Sequence, residues 1–260
     1  KIALGLQIKG IINIQMILYD NRVYITGVSA KSFQNIPFMC KATGLPIIEI
    51  AVRSMLDQKI TDMGFKPGVY PCKNHFAVRV PVFSFDKISG TDTQLSGEMK
   101  STGEVLGIAD SFEDALLKGL VASGMRISRS GGILVTVRNS DKQEAIVVAD
   151  RFSHLGFNIF ATAGTAKTLN ANHVASNYVR KLHEGTPNIL DLINSKKIVY
   201  VISTSEKAEN AVGDDIRIRR KAIEKQIPTL TTMDTAAALV RCLAMKRSLE
   251  DIALIDITKI

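Results

Sequence analysis

The sequence predicts an α/β protein: a doubly wound parallel sheet in the second half of the chain, preceded by a less regular α+β region. Three observations carry that expectation. After about residue 130, short apolar runs alternate with helix-length amphipathic stretches, the spacing of strands connected by helices. The runs are nearly continuous rather than alternating, as in Gly132-Ile-Leu-Val-Thr-Val-Arg138, which is how a strand covered on both faces reads. Before that point, residues 60–107 are rich in Gly and Pro and read as irregular.

The elements follow in order. Residues 11–28 predict two strands around the polar turn Asp20-Asn-Arg22, a hairpin signal. Ile47, Ile50, Ala51 and Met55 recur at helical spacing over 46–57, after a Gly44-Leu-Pro46 start. A strand is expected at 76–83 and a helix at 110–122, capped by Asp110 or Ser111. Ser123-Gly124 and Ser130-Gly131-Gly132 then punctuate the chain, dividing it into 1–122 and 123–260. Beyond them come a strand at 132–138 and a helix opened by the capping box Ser140-Asp-Lys-Gln143 and closed near Gly156. Strands at 157–162, 174–178, 197–203 and 228–232 alternate with helices at 165–172, 187–194, 214–226 and 235–246.

Composition limits the function classes. The 260 residues are 46% hydrophobic and 22% charged, ordinary for a globular protein that can bury a large core. The net charge of +8 favours anionic partners. It is spread evenly, 15 basic against 11 acidic residues over 1–130 and 18 against 14 over 131–260. That evenness, with no Trp and no basic-aromatic interleaving, argues against nucleic acid. Cys40, Cys72 and Cys242 lie far apart, so neither a zinc site nor a disulfide framework is expected, and a reducing, cytoplasmic compartment fits. No stretch approaches the ~18 apolar residues of a membrane helix. The chain starts without Met or a signal pattern and reads as a piece of something longer.

In open parallel sheets, ligands bind beyond the carboxyl ends of the strands. Those ends carry Thr162, Gly164 and Thr165 after one strand, Ser203, Thr204 and Ser205 after another, and Thr229-Leu-Thr-Thr232 after a third. Arg217-Ile-Arg-Arg-Lys221 supplies cations that could reach the same edge. Hydroxyls, N–H groups and a few cations make an anion or phosphate site. Each feature also has a purely structural reading: a tight turn, a helix cap, a solvated helix face. Convergence at one edge is what favours binding. His154, His173 and His183 show no ligand spacing.

These segments also carry a family resemblance. Ala161-Thr-Ala-Gly-Thr-Ala166, Lys181-Leu-His-Glu-Gly185 followed by Pro187-Asn-Ile-Leu-Asp191, and Arg217-Ile-Arg-Arg220 resemble the methylglyoxal-synthase-like domain of the large chain of carbamoyl-phosphate synthase. Lys41-Ala-Thr-Gly-Leu-Pro46 and Glu98-Met-Lys-Ser-Thr-Gly-Glu-Val-Leu-Gly107 are similar to signatures of that chain's second ATP-grasp unit. The resemblance covers nearly the whole sequence. It implies that 1–122 is the end of an ATP-grasp unit and 123–260 a regulatory domain binding a nucleotide or other phosphorylated effector. It also implies a ligase that phosphorylates carbamate with ATP and Mg²⁺, serves pyrimidine and arginine biosynthesis, and works with a glutaminase small subunit, with homo-oligomers possible. Carried across, the effector residues are Thr162, Gly164, Thr165, Lys181, Ser203, Thr204, Ser205, Arg219 and Arg220.

The departures from the family pattern lie in the first region. Where ATP-grasp enzymes end a strand in Glu-x-Asn-Pro-Arg, whose oxygens hold Mg²⁺ beside ATP, this chain has Gly27 at the Glu position, Ser29 at the Asn position and Lys31 at the Arg position. Gln34 replaces the following Arg, and only Gln15 still matches a residue of the ATP side. Asn13 and Gln15 otherwise read as a satisfied polar pair in a buried strand. These residues alone are therefore not expected to make carbamoyl phosphate. Two alternatives stand beside the regulatory reading: a binding-only relic of the enzyme, and a methylglyoxal synthase-type lyase with Glu184 as the base.

Overall fold

The computed structural model describes every residue except 32, 34, 72, 86, 88–94, 96–98, 205–211, 249 and 259–260. Its contacts divide the chain into two compact units, Lys1–His75 with Leu254–Ile260, and Phe76–Ala253.

The first unit holds the expected hairpin. Strand β1 (Asn13–Tyr19) pairs antiparallel with β2 (Arg22–Ser29). Asp20 and Asn21 at the turn have φ of 46° and 55°, the left-handed pair whose twist matches two flanking strands. A short helix α1 (Ile2–Gly5) precedes it; α2 (Ile36–Thr43) and α3 (Ile47–Met55) follow. Helix α2 is absent from the sequence reading, because Pro37 looks like a breaker. Pro37 sits in the first turn, where a missing N–H costs nothing, and Gly44 closes the helix in the left-handed conformation. Most of the hairpin's apolar side chains are exposed, Leu18 and Tyr19 the most. The strand read as buried is thus open in this chain.

The second unit begins with β3 (Phe76–Val82) and β4 (Gly103–Ala109), an antiparallel pair covered by α4 (Phe112–Ala122). Ser111, not Asp110, caps α4, accepting from the Asp114 N–H at 3.2 Å. Strand β4 is hidden in the sequence by its glycines, and packing explains one of them. A Cβ on Gly107 would stand 1.9 Å from the Ala115 carbonyl oxygen, so only glycine lets α4 lie this close to the strand. Val80 and Leu120 join the same buried cluster as the parallel sheet that follows. By contacts, then, this unit reaches back to Phe76, well before the punctuation at 123–132.

That sheet has five parallel strands in the order β7-β6-β5-β8-β9: β5 (Gly132–Thr136), β6 (Asn158–Ala161), β7 (Asn177–Tyr178), β8 (Ile198–Ser203) and β9 (Thr229–Leu230). Helices α5 (Lys142–His154), α6 (Ala163–Ala171), α7 (Ile189–Asn194), α8 (Val212–Glu224) and α9 (Met233–Ala244) alternate with the strands. Ile133 and Val135 of β5 pack with α5, α6 and α9, whereas Leu134 packs with α7 and α8. The doubly wound α/β expectation is met, and the continuous apolar runs exist because both faces are covered. Each fully buried side chain such as Phe152 or Ile202 contributes about 1.5–3 kcal/mol of transfer free energy. The capping box at Ser140 is not formed. A 3-10 turn at Asn139–Asp141 leads into α5, and the Ser140 hydroxyl donates to Asp141 Oδ1 instead.

Candidate functional site at the carboxyl edge of the sheet

The chain leaves β5 toward β6 and β7, then returns to β8 on the other side of β5. Connections thus depart in opposite directions from the carboxyl ends of β5 and β8, which opens a crevice there. Local hydrogen bonds stitch this edge. The Thr204 N–H donates to the Thr136 carbonyl at 3.1 Å, and the Arg138 N–H donates to Thr204 Oγ1 at 3.1 Å. Thr162 Oγ1 lies 3.5 Å from Thr136 Oγ1, joining the ends of β6 and β5.

Helix α6 starts two residues earlier than its pattern suggests, so Thr162 becomes its N-cap. The Thr162 side chain does not cap the helix, and the first-turn N–H groups therefore have no side-chain acceptor at that position. Thr162, Thr165, Ser203 and Thr204 are all buried. The Ser203 hydroxyl is wholly inaccessible and lacks a hydrogen-bond partner among the described residues. A Cβ on Gly164 would come within 3.3 Å of Lys142 Nζ. The first residue of α5 therefore projects its ammonium over the first turn of α6. Positive charge and exposed helix N–H groups at one place form an anion-binding environment.

Lys142 is the residue that sequence reading overlooked. It was visible only as a member of a capping box, and nothing in its position 22 residues before Gly164 reveals that two successive helices begin side by side. The neighbouring Asp141 is an anion paired with Arg138. Burial raises its carboxyl, but hydrogen bonds from Arg138, Thr204 and Ser140, with the Arg138 charge, outweigh that and hold it below its ordinary value. Arg138 Nε is 2.8 Å from both Asp141 oxygens.

A comparison with known families bears on this second unit. Residues 144–231 match the family model described as MGS-like domain. The second unit contains an MGS-like domain. The match runs from the first turn of α5 through β9, and so takes in the edge at Thr162, Thr165, Ser203 and Thr204.

Not every expected site residue of the MGS-like domain gathers at this edge. Gly164 does, with the four hydroxyl residues. Lys181 is exposed in the connection between β7 and α7. Arg219 is buried on α8 with Nη2 3.9 Å from Asp215 Oδ2, while Arg217 and Arg220 are exposed. Arg219 lies seven residues into α8, roughly 10 Å along the axis. Arg219 and Arg220 also diverge by about 100° around it, so the two do not form one clamp. Ser205 lies outside the described residues.

Glu184 is held rather than poised. Its Oε2 accepts the Lys181 N–H at 2.8 Å and the Tyr178 hydroxyl at 3.0 Å. The backbone bond from Lys181 and then the Tyr178 bond lower its carboxyl below the ordinary glutamate value, which makes it a weaker base. His183 Nδ1 approaches Asp214 Oδ2 at 3.4 Å, and Arg180 donates to the Thr186 carbonyl at 2.9 Å. The 178–188 loop is thus tied to itself and to the first turns of α8.

In the first unit, Gln15 is paired opposite Gly27. A Cβ on Gly27 would meet Gln15 Oε1 at 3.0 Å, so the glutamine amide covers the strand where the resemblance expects a metal-binding carboxylate. Gly27 offers no side chain and Ser29 only a neutral hydroxyl, a poor donor set for Mg²⁺. Gln34 lies outside the described residues. Among those described, no three or more His, Cys, Asp or Glu side chains converge on a metal-sized site. The residues present do not fit Mg-ATP. No helix among them is long and apolar enough to cross a membrane.

Proposed function

We propose that this chain is the carboxyl-terminal portion of the large chain of a glutamine-hydrolysing carbamoyl-phosphate synthase, with a tail of an ATP-grasp unit followed by an effector domain. The MGS-like domain binds a phosphorylated effector, a nucleotide being the first choice. Carbamate phosphorylation and ammonia supply belong to the remainder of that enzyme and its glutaminase subunit. The observation that carries this reading is the approach of Lys142 Nζ to the first turn of α6 beside Thr162 and Thr165, with Thr136 of β5 linking Thr162 to Thr204 at the end of β8. Hydroxyls and N–H groups satisfy phosphate oxygens, and the ammonium supplies the counter-charge.

Thermal unfolding of the full chain with UMP, IMP, UTP or inorganic phosphate tests the site. A ligand at a hundred times its Kd stabilises the folded state by about 2.7 kcal/mol, so at least one of them raises Tm by roughly 5–10 °C. Indifference to all four overturns the proposal. Loss of ATP use in the first unit is a second reading, favoured by the Gln15 amide over Gly27. A full-length protein that phosphorylates carbamate at the second site with these residues unchanged would defeat it. Lyase action is the weakest reading, because both polar contacts on Glu184 Oε2 stabilise its charged form. Methylglyoxal production from dihydroxyacetone phosphate, abolished by Glu184→Gln, would reverse that judgement.

A further inference from the structure

Tyr178 is an exposed aromatic on the edge strand β7. Its backbone is in register with Ala161, the residue immediately before Thr162. Tyr178 therefore stands one strand away from the start of α6, about 4.8 Å across the sheet. The side chain is 55% exposed, yet its orientation is fixed. The hydroxyl donates to Glu184 Oε2 at 3.0 Å, and the same oxygen accepts the Lys181 N–H at 2.8 Å. Below it, the entry to β7 is pinned by Asn170, whose Oδ1 accepts the Ser176 N–H at 2.8 Å and whose Nδ2 donates to the Ser176 carbonyl at 3.3 Å. An aromatic ring anchored at its polar tip, with its body in water, is a preorganised apolar surface.

We infer that Tyr178 is the stacking platform for a planar ring on the ligand, and hence the residue that separates a nucleotide from a simple phosphate or sugar phosphate. The inference rests on the anion site proposed above. Thr162, Thr165 and Lys142 serve any phosphate, because hydroxyls and an ammonium read only the anion. Discrimination needs a group that rewards the rest of the ligand. A π-face does so without demanding one particular base, since every base has one. The Glu184 contact then acts indirectly, by keeping the ring in place through the oxygen that also accepts the Lys181 N–H.

Isothermal titration of the full chain with UMP, ribose 5-phosphate and inorganic phosphate tests the assignment. Tyr178→Ala is expected to weaken UMP by about tenfold, within the range of single-base stacking losses, and to leave the other two unchanged. Tyr178→Phe keeps the ring and should retain most of the UMP affinity. An unchanged ratio of UMP to ribose 5-phosphate affinity in Tyr178→Ala overturns the stacking role. So does a Phe variant that loses as much as Ala, because the hydroxyl would then be what matters. Lys142→Met separates the two levels. If it weakens all three ligands, the anion site stands whatever Tyr178 does. If wild-type protein binds none of them, the anion site fails and the stacking role with it.

Discussion

Gly107→Ala is the most demanding test of how the second unit is built. The added methyl would sit 1.9 Å from the Ala115 carbonyl oxygen and 2.8 Å from the Gly119 nitrogen. Both are backbone atoms of α4, so no side-chain rotation relieves the overlap. Reaching an ordinary contact of about 3.4 Å requires α4 to retreat from β4 by about 1.5 Å, and gaps of even ~0.5–1 Å forfeit a quarter to a half of each dispersion contact. Ala115, Leu117 and Leu120 are buried side chains of that helix and would lose such contacts together. Overpacking of this kind costs about 3 kcal/mol, which for a unit of this size lowers Tm by roughly 6–12 °C. Gly103 supplies the control. It lies in the same strand, and a methyl group added there would meet nothing within 4 Å, so Gly103→Ala should stay within about 0.5 kcal/mol of wild type. Calorimetry of both variants in the full chain decides. Equal melting temperatures for the two would refute the close-packing account and leave Gly107 to another explanation.

Other expectations follow from the site and the core. Lys142→Met removes a half-exposed charge over α6, and a pair screened at that level is worth about 1–2 kcal/mol. Phosphate affinity should fall about five- to thirtyfold by titration calorimetry, with a smaller difference at high salt. Glu184 has a folded-state carboxyl value below its unfolded one, so its bonds stabilise the loop above the ordinary glutamate range and are lost as pH falls through the folded value. Protection of the Lys181 amide, as its exchange relative to the intrinsic rate at each pH, should therefore hold above the ordinary glutamate range and be lost as pH falls below it, while Glu184→Gln removes that transition. Burial pushes the Cys242 thiol up to about 11, leaving almost no thiolate near neutrality. Alkylation of native protein should label the partly exposed Cys40 and reach Cys242 only on unfolding.

The fold was legible wherever burial imposes a regular pattern. Strands β5 and β8 are covered on both faces, and continuous apolar runs report that directly. The β1–β2 turn was legible because Asp20 and Asn21 tolerate positive φ better than most residues. Elements defined by a neighbour rather than by periodicity were not. Strand β4 reads as a glycine-rich loop until α4 is placed on it, and α2 looks broken until Pro37 is seen in its first turn. The site divides in the same way. Thr162, Gly164, Thr165, Ser203 and Thr204 follow strands, so the carboxyl-end rule finds them, whereas Lys142 opens a helix and escapes it.

From sequence alone come the alternation of strands and helices, the hydroxyl residues at strand ends, and the lack of a carboxylate or amide side chain at Gly27 and Ser29. Each is a local property, a matter of which side chain stands where along the chain. Only the tertiary structure decided that β5 and β8 share the switch point, that Lys142 reaches α6, that Arg219 and Arg220 part company, and that Gln15 covers Gly27. The last two follow from helix periodicity and from pairing within a hairpin, the first two from the sheet. A parallel sheet orders its strands differently from the chain, and charges, hydroxyls and glycines acquire their meaning from neighbours across it that linear spacing does not name.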